Sequence, residues 1–399
     1  GAAEVGAGEV ARRRAVRAVA APVAGGFAGS ETVTLGSGTE LPASPEEPEI
    51  NSRMSLPLPD ETAAAVAGAR LEKLDVPGAG LGNLAALVRF VAGTQGTATP
   101  QPYRAPRLML VHGAHRGGLA TADTDEAWQR EVDRAAGGGG PLGILAGATG
   151  VPIQVVDVTA EPAEPIEESD ATTLEKAEIG LRQGFRLAEA AVDTGTDLVI
   201  LGAAGPGQVG AAAAVVSATV AVEPAAALPR VVLAGGRIDD NAWMARCEAL
   251  RDGLRRAKGH TDSSVATIAA LGGYDLAVAT GIILGATFRR TPVMIDGPVG
   301  IAAGMLARDL GAQSRLWLLL ADDGRNPAVV PTARVIGTRT FADLRLDLGE
   351  GAAALAVLPV IQHALLLSAL SLADTEPDDS GDTAGGAGAL TPAEPSSAW

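Results

Sequence analysis

The sequence predicts an α/β protein with a doubly wound, mainly parallel sheet of about six strands. Three observations support this fold class: six short apolar runs rich in β-branched residues, helical patterns between most of them, and enough apolar residues for a large core. Apolar residues make up 47% of the 399 residues and charged residues 20%, which argues against a largely disordered chain.

The six predicted strands are apolar on both faces, as expected for parallel strands that helices cover on each side. They are RLMLVHG (107–113), VPIQVVDV (151–158), DLVILGA (197–203), PRVVLAGG (229–236), TPVMIDG (291–297) and RLWLLLA (315–321). Helical patterns at 171–192, 240–257, 274–288 and 299–310 have lengths that suit right-handed crossovers. Because ligands bind beyond the carboxyl ends of such strands, the residues after each strand are the candidate site.

The predicted domain covers residues 54–374, and further segments flank it. Helical patterns at 57–96 and 352–373 indicate that both ends of the core are helical, on either side of a large α/β part over 97–351. Residues 1–53 are rich in Ala, Gly, Pro, Ser and Glu and are interpreted as a low-complexity extension or linker. The acidic tail, 375–399, is predicted to be disordered.

Charge and composition exclude several classes of partner. The formal net charge of −16 disfavours nucleic acid and anionic membranes, because both are polyanions. The single cysteine, Cys247, forms no intrachain disulfide, which fits a cytoplasmic protein. The four histidines and this cysteine lack the spacing of zinc ligands, so no metal is expected. No signal-peptide pattern opens the chain. The apolar segment 352–373 carries Pro359, Gln362 and His363 near its centre and is interpreted as a core helix.

Glycine-rich turns after two predicted strands are candidate phosphate sites. The first contains Gly205, Gly207 and Gln208, where glycines leave backbone N–H groups free at a helix N-terminus. A tight strand-to-helix turn without a ligand explains the same spacing. The second turn and its following helix add four candidates: Gly235, Gly236, Arg237 and Arg246. Arginine binds phosphate through a bidentate fork, but a capped helix with a solvated basic face is the alternative.

Two carboxylates follow the later strands. Asp296 comes directly after TPVMI and either orients a sugar hydroxyl or caps the next helix. Glu350 stands between Gly349 and Gly351, ahead of the final apolar helix, where the helix dipole favours its ionised form. Such a carboxylate is a general base if a substrate N–H comes within reach. A residue in the first turn of a helix is the alternative interpretation.

The order and spacing of these motifs resemble the nicotinate-nucleotide:dimethylbenzimidazole phosphoribosyltransferases over about residues 57–373. The similar segments are ARLEKLDVPGAGLGNLAALVRFVAGTQG, IDDNAWMARCEALRDGLRRA, GGYDLAVATGIILGATFRRTPVMIDGPVGIAAGMLA and LRLDLGEGAAALAVLPVIQ. The resemblance implies transfer of phosphoribosyl from nicotinate mononucleotide to an azole nitrogen in cobalamin lower-ligand synthesis, without a metal or organic cofactor. Glu350 matches the glutamate that takes the azole proton in this family. The resemblance also implies a small helical part made from both ends of the core, 57–96 and 352–373, beside the large α/β part. It further implies a homodimer, and a hetero-oligomer with a paralogue is the alternative.

The chain departs from the family pattern in its phosphate-binding motifs, so it resembles a divergent member. The family's Gly-Glu-Met-Gly-Ile-Gly-Asn-Thr-Thr is GAAGPGQVG here, and Ala203 replaces its second acidic residue. Arg246 stands for a lysine, and Arg325 lies in a loop that is polar in the family. Both arginines, with Arg237, are candidate replacements for the lost phosphate contacts. The resemblance places His115 and Leu348 in the base pocket.

Two hypotheses about function remain open at this point. An active phosphoribosyltransferase is supported by Glu350, Asp296 and the arginines. A non-catalytic relative, acting as a small-molecule-binding protein or a partner subunit, is supported by Ala203, Ala114 and Val209, which replace polar residues of the family. An unrelated Rossmann-type nucleotide binder is a third interpretation, but no dinucleotide fingerprint follows an early strand.

Overall fold

A computed structural model of the chain describes residues 20–21, 29–43, 47–233, 235–338, 340–370 and 372. Within these residues, a sheet of seven strands forms the centre of the molecule. The strands are β1 (Ala20–Ala21), β2 (Glu31–Thr34), β3 (Pro106–His112), β4 (Ile153–Asp157), β5 (Leu198–Ala203), β6 (Val293–Ile295) and β7 (Leu318–Leu320). Their spatial order is β1-β2-β4-β3-β5-β6-β7. Strands β2 to β7 are parallel, and β1 pairs antiparallel with β2.

The longer helices of the described residues are labelled α1 to α11. They are α1 (Glu61–Leu71), α2 (Leu84–Gln95), α3 (Asp125–Ala136), α4 (Gly140–Thr149), α5 (Leu174–Asp193), α6 (Gln208–Val220), α7 (Asp240–Ala257), α8 (Gly273–Phe288), α9 (Gly297–Leu310), α10 (Val329–Ile336) and α11 (Ala352–Ser368). Shorter helical segments lie at Gly117–Ala120, Pro224–Ala227, Ser264–Thr267, Ile268–Gly272 and Ala312–Trp317.

Successive residues of each central strand enter different hydrophobic cores, because side chains alternate across a sheet. In β3, Met109 and Val111 pack with α5 to α10 on one face. Leu108 and Leu110 pack with α2, α3, α4 and α11 on the other. The sheet is therefore covered by helices on both faces, and the doubly wound α/β prediction is confirmed.

The predicted strand at 229–236 is wrong. This segment starts a hairpin outside the sheet, in which Val232 bridges Ile238 and the Leu233 N–H donates to the Arg237 carbonyl at 2.8 Å. Gly235 and Gly236 have φ of 82° and 77°, so the chain reverses after only a few residues and cannot cross the sheet.

The sixth parallel strand is β2, which lies in the segment 1–53 that the sequence analysis interprets as an extension or linker. For residues 29–43 and 47–53 that interpretation is wrong. Val33 and Leu35 are buried, and β2 pairs with β4 from Glu31↔Gln154 onward. Residues 1–19 and the predicted disordered tail, 375–399, lie outside the described residues.

Helices from both ends of the core lie together. The Arg70 guanidinium at the end of α1 donates to the Leu370 carbonyl after α11 at 3.2 Å. The side-chain amide of Gln362 in α11 exchanges two hydrogen bonds, of 2.9 and 2.8 Å, with the backbone of Tyr103. One face of α11 is buried, as a core helix requires. The continuous helical segment Ser264–Phe288 is long and apolar enough to cross a bilayer, but its apolar window is wholly buried inside the protein.

Four of the eleven labelled helices begin with a side-chain cap from the preceding residue, whereas α9 and α11 do not. Asp60 caps α1, Thr124 caps α3 and Thr173 caps α5, each by accepting a hydrogen bond from the backbone N–H three residues later. The residues that precede α9 and α11 make no such bond to their own helix. The N–H groups at these two helix starts therefore need partners from elsewhere in the chain.

Candidate functional site

A cavity of about 230 Å³ opens at the carboxyl edge of the sheet. It lies beyond the carboxyl ends of β5, β6 and β7, and the carboxyl edge of a parallel sheet is the usual ligand position in such folds. Residues after β5, β6 and β7 and the segment before α11 form its wall. Apolar residues form much of it: Trp128, Ala203, Val209, Pro229, Pro298, Val329, Leu346, Leu348 and Ala353.

Asp296 and Glu350 both line this cavity and cap each other's helices. Asp296 immediately precedes α9, yet its Oδ2 accepts hydrogen bonds at the start of α11, from Gly351 and Ala353 at 2.9 Å. Glu350 precedes α11, yet its carboxylate accepts from the N–H of Val299 in α9 at 3.0 and 3.1 Å. Each carboxylate therefore accepts hydrogen bonds from the first N–H groups of the helix that follows the other carboxylate. These bonds hold the two turns together.

A glycine makes the approach of Glu350 possible. A Cβ at Gly297 would lie 2.5 Å from Glu350 Cγ, and Gly297 has a φ of 69°. Any other residue would meet both a collision with the Glu350 side chain and backbone strain. Gly297 thus allows the carboxylate to lie against the first turn of α9.

The two carboxylates are harder to ionise than exposed ones. Burial raises the pKa of Glu350 well above its usual range; the N–H groups of Val299 and Gly300 oppose this, and the charge of Asp296 adds to it. Burial also raises the pKa of Asp296 to about 6, against the opposing effect of three backbone N–H groups at the start of α11. Both groups thus hold protons more tightly than free side chains do.

Six of the predicted site residues line the cavity together. They are Gly205, Gln208, Asp296, Arg325, Leu348 and Glu350. Arg325 is exposed and forms no ion pair with the other residues that the structure describes. Its guanidinium is therefore available to an anionic ligand at the cavity.

Two predicted phosphate ligands bind protein groups instead of facing the cavity. Arg246 is buried and donates to the Thr121 carbonyl at 3.0 and 2.8 Å. It also pairs with Asp123 at 3.0 Å. The same Asp123 carboxylate accepts from the Gly207 N–H at 3.0 Å. The Gly207 N–H, which the sequence analysis assigned to phosphate binding, is thus already bonded to the Asp123 carboxylate.

The other predicted residues lie apart from the cavity. Gly235, Gly236 and Arg237 are at the exposed end of the hairpin after Pro229. His115 is buried and does not line the cavity; its Nε2 lies 3.0 Å from Asp275 Oδ1. The structure does not bring these four residues to the predicted site.

Sequence reasoning missed several lining residues. Trp128 lies in α3, whose sequence shows only an amphipathic helix, and Asn326 and Asp347 lie in irregular segments. Asp275, which pairs with His115, lies in the apolar core helix α8. The sequence signal for Asp275 is a charged residue inside an apolar helix, because an unpaired charge is costly in a core.

A family model described as Phosphoribosyltransferase matches residues 56–372. The chain therefore belongs to this phosphoribosyltransferase family, and the resemblance inferred from the motifs is confirmed.

Similar proteins carry a more specific name. The nicotinate-nucleotide–dimethylbenzimidazole phosphoribosyltransferase of Streptomyces avermitilis is 33% identical over 333 residues, which cover 78% of this chain and 87% of that protein. The protein of the same name from Mycobacterium avium is 33% identical over 325 residues, with 77% and 92% covered. The crystal structure of the Thermus thermophilus protein of this name superposes with a TM-score of 0.70 at 25% identity, covering 78% of this chain and 97% of the other.

Proposed function

We propose that the chain transfers phosphoribosyl from nicotinate mononucleotide to an azole base such as dimethylbenzimidazole, a step in making the lower ligand of cobalamin. Family membership and the names of the relatives support the reaction class. The observation that carries the proposal is the position of Glu350, at the wall of a largely apolar cavity at the carboxyl edge of the sheet.

Glu350 is the proposed general base. One azole nitrogen forms a bond to C1′ of the ribose while the bond from C1′ to the pyridinium nitrogen breaks, and that electron pair leaves with nicotinate. The proton of the other azole nitrogen passes to the Glu350 carboxylate. Because burial raises the pKa of Glu350, its carboxylate is a stronger base than an exposed glutamate. The positive charge of the pyridinium ring favours the ionised form of the Glu350 side chain.

The flat base and the phosphate have separate candidate subsites. Trp128 and Leu348 provide apolar contact area for a planar heterocycle. Arg325 is the candidate phosphate ligand, since it lines the cavity and has no ion pair within the described part of the chain. Arg246 and the Gly207 N–H would contribute only if their bonds to Asp123 opened.

The alternative function is that of a non-catalytic binding protein or partner subunit. One observation favours it: the Glu350 carboxylate already accepts N–H groups from Val299 and Gly300, as a purely structural cap would. In that case Glu350 stabilises the start of α9 and takes no proton.

Incubation of the purified chain with nicotinate mononucleotide and dimethylbenzimidazole, followed by chromatography for the ribosylated azole, distinguishes the two functions. Glu350→Gln keeps an oxygen for the Val299 N–H but cannot accept the proton. We expect it to lower kcat by ~10²–10⁴-fold. Asp347→Asn removes another carboxylate at the same cavity and serves as the matched control, with kcat close to that of the wild type. Absence of product from the wild type, or equal rates for Glu350→Gln, would favour the alternative.

A further inference from the structure

Gln208 lies between the cavity and a buried pair of ionisable side chains. It is the first residue of α6, lines the cavity and is 3% exposed. Its Nε2 donates to Asp275 Oδ2 at 2.8 Å and to the Val111 carbonyl at 3.4 Å. His115 Nε2 lies 3.0 and 3.1 Å from the two Asp275 oxygens. Gln208 therefore connects the cavity wall to the His115–Asp275 pair.

Three glycines make room for this pair. A Cβ at Gly113 would lie 2.5 Å from Asp275 Cβ, and one at Gly207 would lie 2.7 Å from His115 Cβ. A Cβ at Gly273 would lie 3.0 Å from both His115 Cε1 and Asp275 Oδ1. Backbone from three separate segments thus closes around the pair, which holds Asp275 in one position.

The pair determines which end of the Gln208 amide faces it. Burial alone would raise the pKa of Asp275, but the adjacent His115 and the hydrogen bonds from His115 and Gln208 lower it below its usual value. Asp275 is therefore a carboxylate, which only accepts hydrogen bonds, as does the Val111 carbonyl. Both groups require the NH₂ of Gln208, so its Oε1 must point away from them.

Oε1 of Gln208 is buried and has no hydrogen-bond partner among the residues that the structure describes. An acceptor in that state is unfavourable, and a donor from a ligand in the cavity would relieve it. A doubly ionised phosphate and an ionised carboxylate have no hydrogen to donate. This atom is therefore suited to a hydroxyl or an N–H group and unsuited to the phosphate role that the sequence analysis gave to Gln208.

We propose that Gln208 Oε1 accepts a hydrogen bond from the substrates, either from a ribose hydroxyl or from an N–H of the base. Asp275 is the positioning residue that holds the amide in the accepting orientation. The identity of these ligands rests on the proposed function, whereas the requirement for a donor follows from the orientation of the amide. Gln208 would thus help to select substrates by their hydrogen-bond donors.

Gln208→Met tests the acceptor, because methionine has similar length and no amide oxygen. Calorimetric titration of the full chain with nicotinate mononucleotide, and separately with dimethylbenzimidazole, needs no turnover. We expect the ligand that supplies the donor to bind about tenfold more weakly to the variant. Thr219→Val, an exposed change further along α6, is the matched control and should bind both ligands as the wild type does.

Modified ligands identify the donor. If a ribose hydroxyl is the donor, the 2′-deoxy or 3′-deoxy analogue of nicotinate mononucleotide should bind equally to wild type and Gln208→Met. If the base is the donor, dimethylbenzimidazole methylated on its ring nitrogen should bind with equal affinity to the wild type and to Gln208→Met. Equal binding of every unmodified ligand by both proteins would overturn the proposal.

Asp275→Asn tests the positioning role. Asparagine has the same shape but offers an NH₂ to Gln208 Oε1, so the amide is free to reverse. We expect a several-fold loss of affinity for the same ligand that Gln208→Met affects, while the affinity for the other ligand is unchanged. An equal loss for both ligands would indicate a merely structural role and overturn the assignment.

Failure of this inference is distinguishable from failure of the proposed function. An active transferase whose ligand affinities are unchanged by Gln208→Met would overturn only the inference. Selective binding without any transfer would overturn only the proposed reaction. A wild-type chain that binds neither ligand would overturn both.

Discussion

At the scale of single residues, the exchange of caps between Asp296 and Glu350 explains why two carboxylates are stable next to each other. Asp296 accepts from the start of α11 and Glu350 from the start of α9. A helix N-terminus carries partial positive charge, so each carboxylate gains from the helix that it caps. Burial opposes this gain and raises the pKa of both groups.

The raised pKa of Asp296 predicts a stability that depends on pH. Its pKa is about 6 in the folded chain against 3.8 as the usual value, so the folded state binds more protons between these values. The free energy of unfolding should therefore be higher at pH 5 than at pH 7.5, and the contribution of Asp296 falls as pH rises through 6. Between pH 5 and pH 7.5 the loss amounts to about 1–1.5 kcal/mol, since one pKa unit corresponds to about 1.4 kcal/mol. Glu350 changes stability in the same direction.

Asp296→Asn should remove this share of the pH dependence, since asparagine still caps a helix but does not ionise. Urea unfolding of both proteins at pH 5 and pH 7.5 measures the difference. Asp60→Asn, an exposed cap of α1, is the matched control and should keep the wild-type dependence. The same pH dependence in Asp296→Asn as in the wild type would contradict the prediction.

Arg325 should affect substrate binding more than it affects chemistry. If its guanidinium holds the phosphate, Arg325→Ala should raise KM for nicotinate mononucleotide by about 10–100-fold, as for a lost hydrogen bond to a charged group. KM for the azole should change little. Steady-state kinetics measures both constants, and Arg255→Ala, an exposed change on α7 outside the cavity, is the control. A kcat loss with unchanged KM would disprove the phosphate assignment.

At the scale of elements, β2 lies outside the region of the chain that matches the family. The match begins at residue 56, whereas β2 lies at Glu31–Thr34 and pairs along the edge of β4. The segment after β2 is held by Gln183, which donates to the carbonyls of Gly36 and Thr39 at 2.8 and 2.7 Å. The folded unit therefore begins upstream of the matched region.

Deletion of residues 1–55 should destabilise the chain much more than deletion of residues 1–28. The longer deletion exposes the edge of β4 and removes the buried Val33 and Leu35, each contributing roughly 1.5–3 kcal/mol. The shorter deletion removes the two-residue strand β1 but keeps β2, so Tm should stay much closer to that of the full chain. Thermal unfolding followed by circular dichroism, with the soluble yield, tests this. Equal Tm for both deletions would show that β2 is dispensable.

At the scale of the whole molecule, the surface carries apolar side chains that the fold does not cover. Leu366 is 58% exposed and Leu367 44% exposed at the end of α11, and Val66 of α1 is 50% exposed. Exposed apolar groups of this kind are typical of contact surfaces when they form a patch. They are compatible with the homodimer that the family resemblance implies.

We therefore predict that the chain is a homodimer in solution. Light scattering after size exclusion should give twice the chain mass, and Leu366→Glu with Leu367→Glu should lower it toward that of the monomer, because burying two charges in an interface is costly. Leu344→Glu, an equally exposed change outside α11, is the control. A monomer at micromolar concentration would contradict the prediction and leave a paralogous partner as the alternative.

The sequence by itself determined the fold class, five of the six parallel strands and the family. It also determined that Asp296 follows a strand and that Glu350 precedes the final helix. These features depend on local patterns: short apolar runs, glycine turns and ordered motifs. The tertiary structure alone decided that Glu31–Thr34, and not 229–236, is the sixth parallel strand. It also decided that Asp123 binds both Arg246 and the Gly207 N–H. Finally, it decided that Asp296 and Glu350 each cap the helix that follows the other. Each depends on contacts between residues far apart in sequence, and local preferences do not specify which distant group a carboxylate or strand edge will meet.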